Sequence, residues 1–270
     1  MFITDPKPID YTKRLPTTDI QTVARLVVDH GSPIDQRIAA LPVIMESQLD
    51  KEEKAALINV LLLDTRRALR FWAVLHAPSM GDTHTIGILD EIFHKSDDED
   101  LQRIALGSWA ELAGASSLPR LLGFIYDEKC VWQEVSMFVV SRVPGSQTVQ
   151  ALQHILKTHP TSVYRFDAAL RLATLGLSDG KEILEGRLPT GREQYALPVV
   201  IALANLGVLS ALTQLDALLA DPDSLSPVER LTLYGRLLPI LNVQLESVND
   251  VFAPAREWVR DRLHERRAEG

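Results

Sequence analysis

Apolar residues recur along the chain at spacings of three and four, as in Val149, Leu152, Ile155 and Leu156, or Phe166, Ala169, Leu170 and Ala173. That period places them on one face of a helix, and no stretch alternates as a half-buried strand would. The breaks carry helix-start chemistry: Ser32-Pro33, Asp50 with Glu53, Ser96 with Glu99, Asp179 with Glu182, and Ser226-Pro227 with Glu229. A short polar side chain there accepts from the free amides of the first turn, helped by proline at the first helical position or an acid at the third. Read together, the signals predict helices over about 19–30, 33–47, 51–63, 65–77, 83–95, 97–113, 116–127, 129–142, 147–158, 161–175, 179–187, 191–206, 208–220, 227–241 and 250–267.

Many short helices joined by short turns imply an internal repeat. Arg37, Arg70 and Arg103 are evenly spaced, and Arg165 and then Arg230 follow, each after nearly twice that interval. The residue after each arginine is Ile38, Phe71, Ile104, Phe166 and Leu231, and the residue seven beyond is Ile44, Ala77, Ala110, Leu172 and Leu237. Both columns are expected in the core. Gly81, Gly114 and Gly176 stand at one constant offset from Arg70, Arg103 and Arg165, and are expected to close the second helix in a left-handed conformation.

In stretches such as Arg165-Phe166-Asp167-Ala168-Ala169-Leu170-Arg171-Leu172-Ala173-Thr174-Leu175-Gly176 the chain resembles the HEAT family, including the short bacterial repeats of the phycobilisome-lyase type. The match is good over about 33–185 and looser on both sides. The resemblance implies an all-α right-handed superhelix, a HEAT/armadillo-like solenoid of about seven helix pairs. It also implies a ladder in which a turn Asp and an Arg early in the second helix bond between neighbours. Asp64 with Arg70 and Asp97 with Arg103 match that pattern, which assigns Arg70, Arg103 and Arg165 a structural role. Glu134 stands where one Arg is expected, and the window near Ala196 has none. A flexible arm over 1–16 is expected to precede a single solenoid over 17–270, with the charged last helix, about 250–267, as its cap.

The net charge of −8 argues against a protein whose main task is neutralising phosphates. One cysteine, Cys130, permits no internal disulfide, and the segment Met1-Phe2-Ile3-Thr4-Asp5-Pro6-Lys7-Pro8 lacks the features of a signal peptide, so a cytoplasmic protein is expected. The most apolar windows, 57–63 and 196–204, are shorter than the roughly 20 residues of a membrane span.

Candidate chemistry is sparse. Gly176-Leu177-Ser178-Asp179-Gly180-Lys181 is one residue short of a phosphate-binding loop, with Glu182 in place of the hydroxyl, and reads as a joint between helices. The acids Asp97 to Asp100 lack the alternation of a calcium loop and suit a helix N-terminus. No two of the seven histidines have one-turn spacing, so no metal site, catalytic residue or cofactor is expected.

Two and six residues beyond the repeat arginines lie positions beside the core columns. Trp72, His76, Trp109, Asp167, Arg171 and Arg236 fall there and form the candidate binding face, because second helices line the concave side of HEAT arrays. Trp72 and Trp109 read equally well as gap-fillers between repeats. The leading expectation is a non-enzymatic scaffold or adaptor that takes another protein or peptide in its groove. Tetrapyrrole handling, as in bilin lyases and isomerases with this repeat style, or a chaperone-like subunit, is the alternative. A HEAT-like DNA glycosylase using Trp72, Trp109 and Asp167 is a remote third, disfavoured by the acidic balance.

Overall fold

A computed structural model describes residues 19–188, 196–221, 225–241 and 251–268. The expected arm over 1–16 lies outside them. Every regular element among the described residues is helical. The chain divides into two compact units, up to Pro144 and from Gly145 onward.

The first unit contains α1 (Ile20–Val28), α2 (Ile34–Glu46), α3 (Lys51–Leu62), α4 (Arg67–Met80), α5 (Thr83–Lys95), α6 (Glu99–Ala113), α7 (Leu118–Tyr126) and α8 (Gln133–Val140). Sequential helices pack as pairs, α1 on α2, α3 on α4, α5 on α6 and α7 on α8. Neighbouring pairs are joined within layers: α1, α3 and α5 touch in series, and so do α4, α6 and α8. Helix pairs repeating in two layers are the arrangement of an α-solenoid.

The second unit contains α9 (Ser146–Thr158), α10 (Ser162–Thr174), α11 (Lys181–Glu185), α12 (Ala196–Asn205), α13 (Leu209–Ala220), α14 (Pro227–Leu241) and α15 (Phe252–Ala268). Here α9 pairs with α10 and α12 with α13, while α10, α12 and α14 touch in series. The last helix, α15, packs on α13 and α14, burying Ala255 and Val259 and exposing Arg256, Glu257, Arg260 and Asp261.

Local signals set the boundaries. Asp50 and Glu53 form a reciprocal capping box at α3, and Ser226 with Glu229 does the same at α14. A further box, Asp82 with Thr85, opens α5. At α6 the cap is Asp98, not Ser96; Ser96 accepts from the Asp98 amide just before the helix. Of the three glycines expected to be left-handed, Gly176 (φ 79°) closes α10, with the Leu177 and Gly176 amides bonding back to Leu172 and Ala173. Gly114 has positive φ but an extended ψ, and Gly81 is extended. Gly81 is required by space: a Cβ there would sit 2.7 Å from the Ala77 carbonyl oxygen.

The core column seven beyond each arginine is buried throughout. The column one beyond is not: Leu231 is 59% exposed, and Phe71 and Ile104 are only half-buried. Its place is taken by the residues three beyond, Ala40, Ala73, Leu106, Ala168 and Leu233, all at 0%. Positions three and seven are one turn apart and form a single stripe, whereas position one is turned away from it by a large angle. Each Leu or Ile buried in that stripe contributes about 1.5–3 kcal/mol.

Candidate binding surface

Trp72 and His76 stand one turn apart on α4, half-buried beside the core stripe. Their rings lie 4.4 Å apart, tilted by 43°. Burial lowers the His76 pKa below its ordinary 6.5, because the uncharged imidazole is favoured away from water.

Trp109 has a different setting. The guanidinium of Arg120, on α7, lies 4.9 Å from its ring and 5.5 Å and 5.7 Å from those of Phe93 and Phe124. Arg120 also donates to Asp90 at 2.5 Å and contacts the His94 ring, and Trp132 meets Phe93 at 5.2 Å. A delocalised cation over ring faces is favourable by roughly 0.5–1 kcal/mol per contact near a surface. Trp109 is thus engaged in an aromatic cluster joining α5, α6 and α7, in keeping with its gap-filling reading.

In the second unit three of the sequence-predicted residues lie within electrostatic range of one another. Asp167 and Arg171 are one turn apart on α10, and Arg236 on α14 is near enough to act electrostatically on Arg171. Burial and the positive charge of Arg236 together bring the Arg171 pKa down to about 10, with Asp167 opposing. Arg236 is lowered chiefly by burial, again opposed by Asp167. Between α10 and α14 runs α12, whose sequence from Ala196 to Asn205 carries no charge and whose middle is buried. The repeat that lacks an arginine is therefore flanked by arginines from both neighbours.

The arginines that reveal the period do unlike things. Arg37 is buried, donates to the Val27 carbonyl at 2.8 Å and pairs with the buried Asp64. Asp64 is thus bonded to the arginine of the preceding repeat. Arg103 pairs with Glu99 on its own helix, at 3.1 Å on the surface, a pair worth about 0.3–0.5 kcal/mol. Arg230 donates to the Leu225 carbonyl at 3.1 Å. The rung expected of Asp97 and Arg103 does not form. Its neighbourhood is held by Arg67, which pairs with Asp98 and reaches Asp100 at 3.3 Å.

A cleft of about 440 Å³ opens beside Arg70, between the end of α3, the first turn of α4 and one side of α5. The period marks Arg70 as a ladder arginine and gives no sign of the cleft. The stretch from Gly176 to Lys181 is a joint between α10 and α11, as its sequence suggests: Gly180 is left-handed at the α11 cap. Among the described residues no three His, Cys, Asp or Glu side chains are grouped as a metal site would require, and no helix is long and apolar enough to cross a membrane.

No protein-family model matches the chain, and comparison with curated proteins finds no match.

Proposed function

We propose that this chain is a HEAT-like, non-enzymatic interaction scaffold whose second helices take a peptide or surface segment of another protein. The observation that carries the reading is the Asp167, Arg171 and Arg236 cluster. Three partly buried charged side chains from α10 and α14 act on one another electrostatically, beside a helix that carries no charge. Desolvated charge is costly to maintain and is concentrated where a protein recognises something. Trp72 with His76 on α4 supplies the same mixture of aromatic and polar surface in the first unit. A cytoplasmic setting belongs to the same reading, supported by the single cysteine.

Affinity capture of the tagged full chain from its native host, with quantitative mass spectrometry, tests it. A protein recovered at near-stoichiometric amounts and lost with Arg236→Glu is the expected result. Recovery of no such protein overturns the reading.

A further inference from the structure

Arg37 and Arg70 occupy the same position in successive repeats, and Asp64 and Asp97 are separated by that same interval. In the first repeat the arginine is satisfied by Asp64. In the second it is not. Asp97 is exposed and makes no bond to Arg70, and its neighbours Asp98 and Asp100 are engaged by Arg67 instead. Among the described residues the Arg70 guanidinium has no hydrogen bond or ion pair, and its Nε is buried with no acceptor. A buried guanidinium N–H without an acceptor is uncommon, and a carboxylate is the group whose geometry matches it.

The surroundings of Arg70 narrow the chemistry. Leu62, Leu63, Ile88 and Ile92 form the apolar part of the cleft's lining, beside the polar His84 and Ser96, and Leu63 is 71% exposed. Of the charged residues at its edge, Glu91 and Lys95 pair with each other at 3.2 Å on the surface and add no net charge to the cleft. What remains is a positive group above an apolar wall.

We propose that the cleft beside Arg70 binds an acidic peptide segment of a protein partner, a carboxylate seated on Arg70 with an adjacent apolar side chain against Leu63 and Ile88. Arg37 binds the Val27 carbonyl through Nε and Asp64 through Nη2, and the ligand's carboxylate takes the place of Asp64 on the terminal nitrogens of Arg70. The proposal rests on the scaffold reading but concerns a separate surface from the Asp167 cluster, so the two fail independently.

Fluorescence polarisation on the full chain tests it, with a labelled peptide of alternating leucine and glutamate and its leucine–glutamine counterpart as probes. The glutamate peptide is expected to bind at least about tenfold more tightly. Arg70→Gln is expected to erase that difference, and Arg103→Gln, at the same repeat position but on the surface, to keep it. Leu63→Glu, which places a competing carboxylate at the rim of an exposed position, is expected to weaken binding without affecting the fold. Equal binding of the two peptides, no binding of either, or a difference that survives Arg70→Gln overturns the proposal. Displacement of the peptide by octanoate at equal concentration also overturns it, since a small amphiphilic acid would then be the occupant.

Discussion

Arg37 and Asp64, on successive repeats, form an ion pair with side chains 2% and 0% exposed, tying α2 to the turn that follows α3. The Val27 carbonyl and the Arg66 amide complete the pair, at 2.8 Å each. A buried pair of this kind is costly to break from one side, because the surviving charge stays desolvated. Asp64→Ala is expected to lower unfolding free energy by about 3–5 kcal/mol, and the double variant Arg37→Met/Asp64→Leu by less than that. Urea unfolding of the three proteins checks both statements.

The same pair gives an acid limb. Burial pushes the Asp64 pKa up, but the Arg66 amide and the Arg37 guanidinium more than offset it and hold the carboxyl below 3.8. Asp82 and Asp98 are lowered too, by the Thr85 amide and by Arg67 respectively. A carboxyl with a depressed folded-state pKa contributes stability that is present above the unfolded value and lost as pH falls through the folded one. Stability is therefore expected to hold above about pH 4 with respect to these groups and to fall below it. Asp64→Asn should flatten that fall, which urea midpoints measured from mildly to strongly acidic pH would reveal.

His76 acts on a different window. Its pKa is lowered by burial, so the unfolded chain binds the proton more readily, and its contribution to stability is present above pH 6.5 and lost as pH falls below it. An NMR titration should place the His76 inflection below 6.5, and Trp72→Ala, by admitting water, should move it upward.

Glycines provide a test of local geometry. Gly180 has φ 79°, and a Cβ there would meet Ala169 Cβ at 2.6 Å and Leu156 Cδ1 at 3.1 Å. Gly123, inside α7, has nothing within 4 Å of the same position. Gly180→Ala should cost more than about 1 kcal/mol, while Gly123→Ala should stabilise by roughly 0.4–1 kcal/mol. Thermal unfolding of the two variants should shift in opposite directions.

Features confined to a few adjacent residues are legible in the sequence. The capping boxes at Asp50 and Ser226 are local interactions, so the chain spells them out, and α3 and α14 begin where expected. Helical spacing places Asp167 and Arg171 one turn apart, but that Arg236 on α14 comes within electrostatic range of them is set by the packing of α10, α12 and α14. Other features depend on which repeat touches which. A period gives equivalent positions but not their partners, so it hides the bond from Asp64 back to Arg37 and the lack, among the described residues, of an acceptor for Arg70 Nε. The core column seven beyond each arginine lies where it is expected, but its companion stands three beyond instead of one, because Phe71 and Leu231 are large and apolar, whereas Ala40, Ala73 and Ala168 are small and easily passed over. Trp109 falls at its expected helical position, but its neighbour Arg120 lies on another helix, beyond the reach of spacing.

Amide hydrogen exchange of the full chain, alone and with the protein it captures, tests the interaction-scaffold reading most directly. Slowed exchange in α10 and α14 around Asp167, Arg171 and Arg236, abolished with Arg236→Glu, is the predicted result. Unchanged exchange in both helices in the presence of a bound partner would contradict it.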